Sequence, residues 1–126
     1  MKQNPLECSV QPYNSSIMII EVDGDITSFA EDKIVSTYNL ASSPEVRTII
    51  WDFEKLTYLN SSGIGLLITL LVRARRQNIK MLACGLKEHF AEVFIITRLN
   101  EIFPLFENLQ EALDEANKIS NGFYGE

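Results

Sequence analysis

The segment from residue 48 to residue 85 opens with Thr48-Ile49-Ile50-Trp51-Asp52-Phe53 and passes through Leu56 to Leu59 into Asn60-Ser61-Ser62-Gly63-Ile64-Gly65. An apolar run through Leu66, Leu67, Leu70, Leu71 and Ala74 follows, overlapping Arg73, Arg75 and Arg76, and then Ile79 to Cys84 with Gly85. The first six residues are β-branched and aromatic, and apolar enough to predict a strand covered on both sides. The polar cluster ends the extended run, and Asn60 or Ser61 can accept hydrogen bonds from the free N–H groups of a helix. That helix starts apolar almost all round and ends in cations, which suit its C-terminal dipole. Ile79 to Cys84 is again a buried-strand pattern, closed by Gly85.

Reading outward gives the same alternation. Upstream, Glu7 to Tyr13 is a short edge strand, since Pro12 cannot donate to a central ladder. Asn14-Ser15-Ser16 is turn chemistry, and Ile17 to Val22 completes a hairpin. Asp23-Gly24-Asp25 is read as breaking that strand. Ser28 with Glu31 makes a capping box for a helix whose Ala30, Ile34, Tyr38 and Ala41 share one face, and Ser42-Ser43-Pro44 ends it. Downstream, Lys87 to Arg98 is amphipathic through Phe90, Val93, Phe94 and Thr97. Ile102-Phe103 is read as a last short strand. Asn108 and Glu111 cap a final helix with Leu109, Ala112, Leu113, Ala116 and Ile119 as its stripe. Strands alternating with helices after an opening hairpin predict an α/β fold, a mixed sheet of four to five strands with about four helices packed on it. No internal repeat or linker divides residues 1–126, so one domain is expected, with its core at 6–119 and a tail over 120–126.

Composition narrows the function. The chain has 126 residues, 46% apolar and 22% charged, which suits a packed domain. Cys8 and Cys84 cannot build a zinc cluster, and a single histidine cannot complete one. The net charge of -6 disfavours a nucleic-acid binder. Six of the acids and one base lie in residues 101 to 126, so the rest of the chain is nearly neutral. Met1 to Tyr13 has no apolar signal core, and the longest apolar run, Ile64 to Val72, is about half of the roughly 20 residues a membrane span needs. A cytoplasmic protein with free thiols and no membrane insertion is expected.

The cluster at 60–65 is the leading site, because backbone N–H groups at a strand-to-helix junction favour an anion; the competing reading is a plain helix cap. It is no nucleophile elbow, since no glycine precedes either serine at the required spacing. It is no dinucleotide or phosphate loop either, since Ile68 stands where a third glycine would and Gly-Lys-Ser/Thr is absent. His89, beside Lys87 and Glu88, reads as a surface residue, Asp23 and Asp25 as a solvated turn, and Cys84 as an inert core thiol. The group Arg73, Arg75, Arg76 and Lys80 reads as a solvated helix end. No catalytic set, metal site or cofactor is expected.

From Ile49 to Ala112 the sequence resembles the STAS domain family, and within it the bacterial anti-sigma factor antagonists. The matching pieces are Asp52-Phe53, Leu59-Asn60-Ser61-Ser62-Gly63-Ile64-Gly65, Met81 to Leu86, Val93 to Leu99, Ile102-Phe103 and Glu111-Ala112-Leu113; Val22-Asp23-Gly24-Asp25-Ile26 is similar to the family's Gly-Glu-Leu-Asp turn. The resemblance implies a single STAS-like domain that is phosphorylated on Ser61, with Ser62 the second choice, by an anti-sigma factor that is itself a serine kinase. A serine phosphatase of the PP2C type would reverse the mark. Asp25, Thr27, Asn60, Ser62, Gly63 and Ile64 would touch the kinase. The chain departs from the family in carrying Asn60 and Thr27 where Asp is usual, which leaves open an unphosphorylated STAS scaffold or the small cytoplasmic subunit of a lipid transporter.

Overall fold

The computed structural model describes residues 4–120. In chain order the elements are β1 (Glu7–Pro12), β2 (Ile17–Ile26), α1 (Glu31–Ala41), β3 (Thr48–Leu59), α2 (Ser61–Arg76), β4 (Lys80–Cys84), α3 (Glu88–Ile96), β5 (Leu105–Phe106) and α4 (Leu109–Ser120). The five strands lie side by side in the order in which they occur along the chain. β1 is antiparallel to β2, and every later pairing is parallel. Asn14 turns the opening hairpin, its Oδ1 accepting from the N–H groups of Ser16 and Ile17 at 2.8 Å each.

Three crossovers step the same way across the sheet, and crossovers of one hand then leave their helices on one face. α1, α2 and α3 therefore share a core with Ile20, Val22, Ile49, Trp51, Phe53, Met81 and Ala83. Phe53, Phe94 and Phe103 form its aromatic centre, with ring centroids 5.6 to 6.5 Å apart. Among the described residues α4 alone covers the other face, laying Ala112, Leu113 and Ala116 on Ile17, Ile19, Ile50, Leu82 and Cys84. β3 feeds both layers by alternation, Ile49 and Trp51 to one and Ile50 to the other. That is the double coverage its sequence predicted.

Four local expectations change. Asp23-Gly24-Asp25 does not break β2; the strand continues to Ile26 with register slips between Glu21 and Asp23 and between Gly24 and Asp25. The reason is the segment before β1, whose Asn4 carbonyl accepts from the Asp25 N–H at 3.0 Å. A Cβ on Gly24, at φ +122°, would lie 2.4 Å from the Pro5 oxygen, so only glycine lets the two backbones meet. β3 likewise runs on to Leu59, because the longer β2 offers Asp25 to Tyr58 and Ile26 to Leu59.

The Ser28–Glu31 capping box does not form. Thr27 caps one residue earlier, its Oγ1 accepting from Phe29 N–H at 3.2 Å, and a 3-10 turn over Ser28–Ala30 leads into α1. The last strand is Leu105–Phe106 rather than Ile102-Phe103. Phe103 is drawn fully into the core, and the edge of β4 pairs instead with the Pro104 and Phe106 carbonyls, through Ala83 N–H at 2.9 Å and Gly85 N–H at 3.2 Å. α4 ends at Ser120, whose hydroxyl lies 2.8 Å from that of Ser16. The expected tail from residue 121 onward lies outside the described residues.

Candidate functional site at the start of α2

Asn60 leaves β3 in an extended conformation and its Oδ1 accepts from Gly63 N–H at 2.9 Å, while its carbonyl accepts from Ile64 N–H at 2.9 Å. The cap the sequence predicted is therefore made by Asn60, not Ser61. Gly63 is buried, and a Cβ there would lie 2.1 Å from the Ile26 carbonyl oxygen and 2.9 Å from Leu59 Cδ1. Gly63 thus seats α2 on the end of β2 and faces no solvent. Ser61 and Ser62 point out and are exposed, and Ile64 is half-buried. The first turn of α2 carries no acidic residue. Two exposed hydroxyls stand at the positive end of a 16-residue helix with no carboxylate of that turn to oppose an added anion.

The turn after β2 packs against α2 and supplies the rest of the site. Thr27 is half-buried and its side chain is used as a cap. Asp25 is also committed inwardly: Oδ1 accepts from the Thr57 hydroxyl at 2.5 Å and Oδ2 from the Asn4 N–H at 3.0 Å. The Thr57 hydroxyl holds this carboxyl below the usual carboxylate range, outweighing the desolvation that opposes it, and the Asn4 amide adds a smaller lowering effect. Asp25 ties the leading segment to β2 and β3 more than it offers a free charge. Sequence reasoning missed Phe29, which is 83% exposed on this turn. Its signal was available, since Phe29 falls off the Ala30, Ile34, Tyr38, Ala41 stripe while being as apolar as any member of it.

Other candidates stay apart. His89 is exposed on α3, its ring centroid 4.0 Å from that of Phe90, and no hydrogen bond joins it to either serine among the described residues. Burial pushes the Cys84 thiol up to about 12, helped by the neighbouring Asp52 and Glu54 charges, and burial takes Cys8 to about 11. Both stay protonated near neutral pH and are poor nucleophiles. Among the described residues no group of three or more His, Cys, Asp and Glu side chains could hold a metal ion. No described helix is long and apolar enough to cross a membrane.

A model of the STAS domain family matches residues 11–112, which takes in the sheet from β2 onward, the α2 junction and the start of α4. The chain belongs to the STAS domain family. This STAS domain is 32% identical over 72 residues to BtrV of Bordetella bronchiseptica, a protein provisionally named as an anti-sigma factor antagonist. That match covers 57% of the chain and 61% of the relative, so it spans less than two thirds of that protein's length. Among solved structures, the Bacillus cell-fate determinant SpoIIAA in its phosphorylated form superposes with a TM-score of 0.66 at 21% identity, covering 86% of this chain and 98% of that one. A sulfate transporter family protein from Wolinella succinogenes gives 0.76 at 12% identity, covering 88% and 93%. At these identities the two structures show a shared fold.

Proposed function

We propose that this STAS domain is an anti-sigma factor antagonist that binds an anti-sigma serine kinase and is released when that kinase phosphorylates Ser61. The observation that carries the reading is the exposed Ser61 at the open, positive end of α2, on a helix fixed from beneath by Gly63. A phosphate there adds about -1.5 to -2 charges. The helix dipole tolerates that charge within the domain, whereas a closely packed partner would have to desolvate it. Moving a complex from mostly bound to mostly free takes about 5 kcal/mol of differential affinity, which desolvating a doubly charged group supplies.

Asn60 fits this role although the family more often carries Asp there. The amide still caps α2, and it spares the phosphate a like charge one residue away. Ser62 is the second acceptor, and Thr27, Asn60 and Ile64 line the same end of the helix. A phosphatase of the PP2C type would reset the switch, and the exchange would take place in the cytoplasm.

The test is incubation of the chain with the serine-kinase-fold anti-sigma factors of its organism and ATP, followed by intact-mass measurement. One added phosphate that vanishes in Ser61→Ala is expected; no phosphate on either serine sinks the switch. Binding that is indifferent to Ser61→Asp would point instead to a constitutive scaffold or a transporter subunit.

A further inference from the structure

The outer face of α2 breaks the pattern of a surface helix. Gly63, Leu67, Leu70, Leu71 and Ala74 are buried on the inner side. At 3.6 residues per turn, Ser61, Gly65, Val72 and Arg76 fall within about 60° of one another on the opposite side, with Ile68 flanking them. All five are exposed, Ile68 by 41% and Val72 by 46%. From Ser61 to Val72 there is no charged residue. A helix that faces water normally carries charge on that side, and a helix uncharged all round is normally covered all round.

Gly65 sharpens the point. A Cβ there would meet no atom within 4 Å, so nothing inside the domain requires glycine. Glycine in a helix interior is destabilising relative to alanine. What its missing side chain provides is a notch, one turn from Ser61 on the same meridian, where another backbone can come close.

Charge identifies what fits. The stripe ends in exposed Arg75 and Arg76, and the ion pair found among the described residues, Arg98 with Glu101, lies elsewhere. A second copy of the chain is a poor match. Antiparallel pairing would set each Arg76 over the positive end of the other α2, and parallel pairing would set arginine against arginine. An apolar helix with carboxylates at one end meets both the notch and the cations. We propose that the outer face of α2 docks an amphipathic helix of the kinase partner, packed along Gly65, Ile68 and Val72 with its acidic end at Arg75 and Arg76. This rests on the proposed function and deepens it, because a phosphate on Ser61 would stand directly in the path of that helix.

The test measures dissociation constants of the full chain for those same kinases by calorimetry, at low and high salt. Gly65→Leu and Val72→Glu are expected to weaken binding about tenfold or more. Arg76→Glu should weaken it less and flatten its salt dependence, and Asp114→Ala, on α4 of the opposite layer, should leave it unchanged. Gly65→Leu should melt no lower than wild type, which separates lost docking from lost folding. Wild-type binding that survives Gly65→Leu and Val72→Glu overturns the docking face and leaves the switch standing. If the wild type binds none of the kinases, both readings fall. A wild-type dimer that Val72→Glu dissociates makes a second copy the occupant and overturns the proposal.

Discussion

α2 and α4 begin in the same way and are put to different uses. Each starts where a strand ends, on opposite faces of one sheet, and each is capped by an asparagine whose Oδ1 accepts from the N–H three residues on at 2.9 Å. In α4 the positive end is then closed by the protein itself, since Glu111 lies in the first turn and its Oε1 accepts from Glu107 N–H at 3.2 Å. Asp114 and Glu115 continue an acidic outer side. In α2 the corresponding turn holds two serines and no acid, and the outer side is uncharged until Arg75 and Arg76. One helix start is electrically finished within the fold and the other is left for an anion from outside. Identical caps therefore say where helices begin, while the residues just after the cap say which beginning is a site.

The comparison breaks most visibly at Gly63. Gly63→Ala places a methyl group against the Ile26 backbone and is expected to cost about 3 kcal/mol, because α2 must lift from β2. Urea unfolding followed by Trp51 fluorescence checks it, and no equivalent sensitivity is expected at Glu111, the exposed residue that stands three after the Asn108 cap of α4. Asn60→Ala and Asn108→Ala should each cost about 1 kcal/mol in the same assay, since the caps are alike. Only Asn60→Ala should also change the phosphorylation rate. A loss of phosphorylation in both would undo the distinction between the two helix starts.

Smaller still is Gly65→Ala, which should stabilise the free domain by up to about 0.8 kcal/mol, since the position is open and helical. A loss of stability would mean that Gly65 has an internal role. The smallest effect is one of pH. The Asp25 carboxyl is held below its usual range by Thr57 and Asn4, so its contribution is present at neutral pH and lost as pH falls through the lowered folded value. Amide exchange at Asp25 should accelerate in acid relative to exchange at Cys84 in the same sheet, and Asp25→Asn should remove most of that difference.

The main architecture was legible because periodicity carried it. Thr48 to Phe53, the helix from Ser61 to Arg76 and the Asn108 cap all follow from patterns within a few residues. What escaped depended on partners distant in sequence. Asp23-Gly24-Asp25 looks like a break until Asn4 and Pro5 are laid across it, and Glu54 to Leu59 is strand only because β2 continues beside it. Phe103 reads as strand locally, yet Phe53 and Phe94 draw it into the core. At the site, Asn60 and the serines were visible as a cap. The split between Gly63 and Gly65, one required from within and one free, needed the neighbouring atoms to be seen.

Strand order has a consequence for how the chain reaches this shape. Because the strands lie in the sheet as they occur along the chain, each newly added strand pairs with the one made just before it. No pairing waits for a distant segment, so each closure spans a single crossover and loses little chain entropy. The sheet can grow from its first hairpin as the polypeptide leaves the ribosome, and α2 can settle on β2 and β3 before α3 and α4 have been made. The surface carrying Ser61 would then be among the first parts of the molecule to take its final form.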